Sequence, residues 1–338
     1  MNKFVIFYVF VIFSMPQCAN PKKEFDYMKN VIYLKGEPLQ IEQLIGQPND
    51  IFHIDSLLVY CDRYDGKSIS VFDLKNNYFV GRFISEGQGP NEVIPLLHLI
   101  TYPQKDKLYT YQRDAAIISI FDVPDFNIQN NIKISSSTPW RPFEIQKTKD
   151  YYIGMGIFDN GRFGVYDCDG NFLYTGGVYP YEGENLESSK AFLMYQGPLC
   201  TNPDNNCFVS ASSYCDNISF YEITENSIII LKEYYSYNST VDVTHRVIIK
   251  DNTIINYTWA YGTNSFCYML FSGETFSSNN KRARGGHYII VFDWKGNYIK
   301  TFNVDYKIFS LCVDETNNCI YACAQEENGD YIIVRLKI

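Results

Sequence analysis

"ISVFDLKNNYFVGRF", residues 69–83, alternates apolar and small residues, turns through Asp, Lys and Asn, and then resumes as a second aromatic-rich strand. The same phrase returns as "ISIFDVPDFNIQNNI" at 118–132, "FGVYDCDGNFLYTGG" at 163–177, "ISFYEITENSIIIL" at 218–231 and "IIVFDWKGNYIKTF" at 289–302, and it ends the chain as "IIVRLKI" at 332–338. The central residues of the six copies, Phe72, Phe121, Tyr166, Tyr221, Phe292 and Arg335, are separated by 49, 45, 55, 71 and 43 residues. A hairpin repeated at this spacing is the mark of four-stranded blades arranged in a ring. The expected fold is therefore all-β, a six-bladed β-propeller with four-stranded antiparallel blades. The sixth copy stops before an outer strand, whereas "NVIYLKG" at 30–36 belongs to no blade of its own. An N-terminal strand is thus expected to complete the last blade, by pairing of 31–34 with 332–336, so that no sheet edge is left open.

Composition agrees. Tyr contributes 29 residues and Phe 24, and aromatic side chains favour pleated, half-buried surfaces. A net charge of −9 argues against a nucleic-acid partner. The first residues, "MNKFVIFYVFVIFSMPQC", place Lys3 before an apolar run too short to span a bilayer, the pattern of an export signal. The organisation expected is a signal peptide over 1–17, a polar tether over 18–29 and a propeller over 30–338.

The stretches "EGQGPNE" at 86–92, "MYQGPLCTNPDNNCFV" at 194–209 and the region from "YMLFSGETF" at 268–276 to "FSLCVDETNNCIYAC" at 309–323 resemble the TolB-like six-bladed β-propeller lipoproteins of Bacteroidetes. The likeness covers nearly the whole chain after the signal. Asn91 stands where those proteins commonly carry a third glycine, a mild change because Asn tolerates positive φ. The resemblance implies acylation at Cys18, a place in the cell envelope at the outer membrane, and a fold more than a reaction.

"SEGQGPNEV" at 85–93 has a Gly-x-Gly spacing, yet it precedes a strand and not a helix, Pro90 removes a donor and Glu92 would repel phosphate. It reads as the crossover from blade one to blade two, with Gly87 and Gly89 in positive-φ turns and Glu92 capping the loop amides. Likewise "DCDGN" at 167–171 is a hairpin turn, since an EF-hand needs glycine at its sixth position and glutamate at its twelfth.

Ligands of propellers meet the face around the central channel on which the blade-to-blade crossovers lie. At or near inner-strand starts on that face stand Trp140, Arg141, Tyr195, Gln196, His245 and Arg246, the expected ligand-binding residues, against the simpler role of filling the funnel and bonding to one another. Arg282 and Arg284 read as a solvated hairpin tip. Four histidines without His-x-x-x-His, the lack of Cys-x-x-Cys and the lack of a Gly-x-Ser-x-Gly elbow leave no catalytic or metal motif, and no cofactor is implied. The reading is a non-catalytic envelope module that binds a glycan, a peptide or an envelope protein. The alternative is a calcium-dependent lactonase or sugar hydrolase at the channel mouth, with Glu92 and Glu144 as conceivable ligands. Finally, "LCTNPDNNCF" and "LCVDETNNCI" place Cys200 with Cys207, and Cys312 with Cys319, on either side of matching hairpins, where disulfides could form.

Overall fold

The computed structural model describes residues 29–89, 91–95, 97–135, 141–180, 186–235, 241–242 and 248–338. Six sheets follow one another along the chain, each with strands in the order inner to outer. Blade one comprises Ile51–Ile54, Leu57–Tyr60, Lys67–Asp73 and Tyr78–Ser85. Blade two comprises Leu97–Gln104, Lys107–Gln112, Ile117–Asp122 and Ile128–Lys133. Blade three is Glu144–Lys147, Tyr152–Phe158, Gly161–Tyr166 and Phe172–Gly176, and blade four is Leu199–Thr201, Cys207–Ala211, Asn217–Ile223 and Ile228–Tyr235. Blade five takes Tyr257–Gly262, Phe266–Phe271, Gly286–Asp293 and the first half of the long strand Tyr298–Asp314. The second half of that strand opens blade six, which adds Cys319–Gln325 and Tyr331–Lys337. Inner strands touch their neighbours in cyclic order through all six blades, so the ring is closed.

The repeated phrase is the third strand, turn and fourth strand of blades one to five and the third strand alone of blade six. Its turn has a common cause. Asp73, Asp167 and Asp293 each accept backbone N–H bonds from two residues that follow, at 2.7–3.0 Å, while Asn76, Asn171 and Asn297 donate their amides back to the same carboxylates. Just beyond the turn the ladder skips one residue of the outer strand in blades one to five: Val80, Gln129, Leu173, Leu231 and Ile299 have no partner opposite. Such bulges sharpen the twist a propeller blade needs, and they explain why Val80, Leu173, Leu231 and Ile299 are exposed although apolar. The central aromatics Phe72, Phe121, Tyr166, Tyr221 and Phe292 are at most 1% exposed and pack between blades.

Closure differs from expectation in detail. Val31–Leu34 does not join blade six; it lies parallel to Thr301–Val304 as a fifth strand on the rim of blade five. The next residues do the closing: Glu37 pairs with Arg335 and Pro38 with Val334, Leu39 N–H donates to Ile333 O, and Glu37 meets Arg335 in a 2.6 Å ion pair. The crossing is made at Gly36, whose N–H donates to Asp305 Oδ1 at 2.9 Å where the long strand leaves blade five for blade six. A Cβ there would stand 2.7 Å from the Tyr306 ring, so a larger residue would push the chain off this path.

The 55- and 71-residue intervals hold insertions on the crossovers. A helix, Ser188–Tyr195, lies between blades three and four, and a two-stranded ribbon of Val241–Asp242 with Ile248–Ile249 lies between blades four and five. No helix among the described residues is long and apolar enough to cross a membrane. Cys18 lies outside the described residues.

The hairpins do not bring the expected cysteine pairs together. Cys200 faces Val209 and Cys312 faces Tyr321, whereas Cys207 and Cys319 sit opposite Asn202 and Asp314, two positions away. Diagonal neighbours of this kind are roughly 7–8 Å apart, beyond the reach of an unstrained disulfide, and all nine described cysteines are free thiols. Burial pushes the thiols of Cys61, Cys200 and Cys312 well above their usual range. Alkylation of the native protein should therefore mark Cys168, the one exposed thiol among those described, first. Unfolding without reductant should expose all nine; protection of Cys200 and Cys207 there would overturn the register.

Candidate functional site

The loop 85–93 is a blade-to-blade crossover, as expected. Glu92 turns back so that Gly89 N–H donates to its Oε2 at 2.8 Å. Gly87 and Gly89 do not adopt positive φ. At Gly87 a Cβ would come within 1.9 Å of the Glu92 carboxylate, so a larger residue there would displace Glu92 from the loop.

On that face the channel widens into a cavity of about 670 Å³, built mainly from residues at the starts of the inner strands. The positions repeat for a reason. An inner strand leaves its channel-side N–H groups without a ladder partner, and a side chain from the preceding or following blade supplies one. Asp50, 3% exposed, accepts Leu99 N–H at 2.8 Å across from blade one to blade two, and its Oδ2 lies 3.6 Å from His98 Nδ1. Gln146 of blade three accepts both Thr101 N–H at 3.0 Å and the Thr101 hydroxyl at 3.2 Å from blade two. Glu144 accepts the Leu199 amide of blade four and, at 3.4 Å, an N–H of Gln146.

These contacts set the charge at the floor. Burial pushes the Glu144 carboxyl up to about 7, with Asp50 adding to the effect and His98 opposing it. The hydrogen bond to Asp50 raises His98 above its usual value, against the pull of desolvation. Above the floor, the Arg113 guanidinium lies over the Phe143 ring at 4.5 Å, and Arg284 lies over Phe309 at 4.7 Å while donating to Pro48 O at 3.1 Å. Arg282, Lys281, Tyr214, Trp259 and Thr258 complete the wall. A second mouth, at the hairpin-turn end of the channel, has an acidic lining with Asp55, Asp204, Asp314 and Glu315, and His53 Nε2 stands 3.6 Å from Asp314 there.

Of the six residues expected to bind a ligand, Gln196 lines the cavity. Arg141 is exposed near it but is not part of its wall. Tyr195 is only 1% exposed and serves from beneath: its carbonyl accepts an N–H of the fully buried Arg162, whose other contacts are Ser210, Asn217 and Tyr221. The apolar face of the short helix carries it inward, which the residues alone do not reveal. Trp140, His245 and Arg246 lie outside the described residues. Arg284, expected to be a solvated tip, instead folds over Phe309 into the channel wall. Asp50, His98, Gln146 and Arg113 also line it and carry no local motif; their signal is position, one or two residues from the start of an inner strand or in the loop between second and third strands.

A ring of six four-stranded blades on phrases of this kind agrees with the family description TolB-like 6-blade propeller-like, whose model matches residues 26–316. The chain belongs to this family. Solved structures of similar fold include a protein of Bacteroides fragilis described as exported, 12% identical with a TM-score of 0.56 over 91% of this chain and 99% of that one. A DUF4221 family member from Bacteroides vulgatus is 13% identical, with a TM-score of 0.57 over 90% of this chain and 96% of the other. A regucalcin from Agrobacterium tumefaciens, described as calcium-binding, is 10% identical with a TM-score of 0.53 over 91% and 95%. At these identities the likeness is one of fold. No curated protein matches the sequence.

Proposed function

We propose that this TolB-like propeller is an exported cell-envelope lipoprotein, acylated at Cys18 and held at the outer membrane, that binds a glycan, peptide or protein partner in its funnel without catalysis. Export is supported by the N-terminal basic and apolar pattern and by the similar fold of the Bacteroides fragilis protein described as exported. The observation that carries the binding role is the cavity itself, a 670 Å³ space at the channel mouth where residues of all six blades converge. Gln196 and Arg141, with Trp140, His245 and Arg246, are the proposed contacts beside those of the cavity wall.

Glu144 beside His98 also favours a second reading, a sugar hydrolase or lactonase, because a carboxyl with a value near neutrality can give and take a proton. Its calcium-dependent form needs a ligand set; among the described residues no three His, Cys, Asp or Glu side chains gather as one.

The test uses the full chain in detergent micelles on a glycan and peptide array, with Cys18→Ser alongside. The expected results are partition of the native chain into the detergent phase, loss of that partition in Cys18→Ser, and a bound ligand whose signal falls in Gln196→Ala. Turnover of the captured ligand would favour the hydrolase instead.

A further inference from the structure

The two ends of the channel carry opposite charge. The hairpin-turn mouth holds Asp55, Asp204, Asp314 and Glu315 against Lys105, whereas the crossover mouth holds Arg113, Lys281, Arg282 and Arg284 in a chain whose net charge is −9. Lys281 has a carboxylate neighbour, Asp251, at 3.5 Å. The guanidiniums do not have a close one among the described residues: Arg113 approaches only Asp114, at 4.0 Å, and Arg284 donates to a carbonyl. Both are held by aromatic faces and so present N–H edges at fixed places, the arrangement that recognises a carboxylate or another planar anion. The acids below do not cancel them. Asp50 is buried under Leu99 N–H and His98, and burial holds the Glu144 carboxyl toward its neutral form.

The remainder of the wall is suited to hydroxyl groups. Thr258 Oγ1 is buried without a hydrogen-bond partner among the described residues, and Gln196 Nε2 donates to Leu193 O at 3.0 Å while its side-chain Oε1 accepts no described bond. Trp259, fixed by its N–H to Leu311 O at 3.1 Å, supplies an apolar face. A peptide would need free backbone partners to lie along an inner strand, but Leu99, Thr101 and Leu199 have already given their N–H groups to Asp50, Gln146 and Glu144.

We infer that the crossover mouth binds an acidic saccharide, a short run of uronate units, with ring carboxylates on Arg113 and on Arg284 and ring hydroxyls on Gln196 and Thr258. This rests on the funnel being the binding face and adds the chemical class of its ligand.

Calorimetry on the full chain decides it, with galacturonate and glucuronate trimers as probes, their methyl esters, a neutral galactose trimer and a hexaglutamate peptide as comparisons. One uronate trimer should bind about tenfold tighter than its methyl ester, and R113Q and R284Q should each weaken it about tenfold. Raising the salt concentration should weaken it further. Arg113 is exposed, so R113Q reports even if R284Q misfolds. Equal binding of acid and ester, indifference to R113Q, preference for the peptide, or no binding by either uronate overturns the inference. A neutral trimer bound as tightly and lost in Gln196→Ala keeps the funnel as a binding face while removing its acidic preference; a ligand insensitive to every substitution at the mouth removes both.

Discussion

The Glu144→Gln variant should unfold at a higher temperature than the native chain at pH 8 and at nearly the same temperature at pH 5. Burial lifts the folded carboxyl from its ordinary 4.5 to about 7, so between those values the folded state holds a proton that the unfolded state has released. Stability from this group is complete below about 4.5, falls as pH rises, and is lost once pH passes about 7. The difference corresponds to on the order of 3 kcal/mol, an upper figure because water in the channel relaxes part of the cost. Glutamine keeps the shape of the neutral acid and can still accept from Leu199 N–H, so it should match Glu144 at pH 5 and escape the penalty at pH 8. His98 and Asp50 are the charged groups named with Glu144 at this site, and their opposed effects partly cancel. Thermal melts of both proteins across pH 5–8 read the difference. Parallel curves would show the carboxylate ionising freely into the channel.

Removing residues 29–39 should convert the protein into an aggregating species, while removing 29–35 alone should leave its state of association unchanged and its stability only modestly lower. The shorter deletion strips the parallel fifth strand from blade five, whose own four strands remain paired. The longer one also removes Glu37 and Pro38 from Arg335 and Val334, the Leu39 bond to Ile333, and the Glu37–Arg335 ion pair. The strand Tyr331–Lys337 then becomes an open edge, and the ring loses the segment that ties the start of the chain to its last blade. Size-exclusion chromatography with light scattering separates the outcomes. Aggregation already at the shorter deletion would mean that Val31–Leu34 is the true closure.

Both results turn on how far local sequence reaches. Asp, Asn and Gly in "DLKNN", "DCDGN" and "DWKGN" make their turns through bonds inside five residues, so blade count and these hairpins were legible without tertiary information. The compact binding of Glu92 to the Gly89 amide was legible for the same reason. Register was not. Whether Cys207 faces Cys200 depends on which residue of a four-residue turn closes the ladder, and Asn202 takes that place.

The channel mouth lies further still from local pattern. Asp50 and Leu99 are 49 residues apart, and Gln146 and Thr101 45, with nothing between them to announce that they meet. Arg284 looked like a hairpin tip because its partners, Pro48 and Phe309, belong to other blades. By itself the sequence determined the repeat, the number of blades and the need for an N-terminal strand, since these follow from periodicity and short-range hydrogen bonding. Only the tertiary structure decided which strand closes the ring, which thiols stay apart, and which carboxyl is buried until it holds its proton, because each depends on distances between blades that no local run of residues encodes.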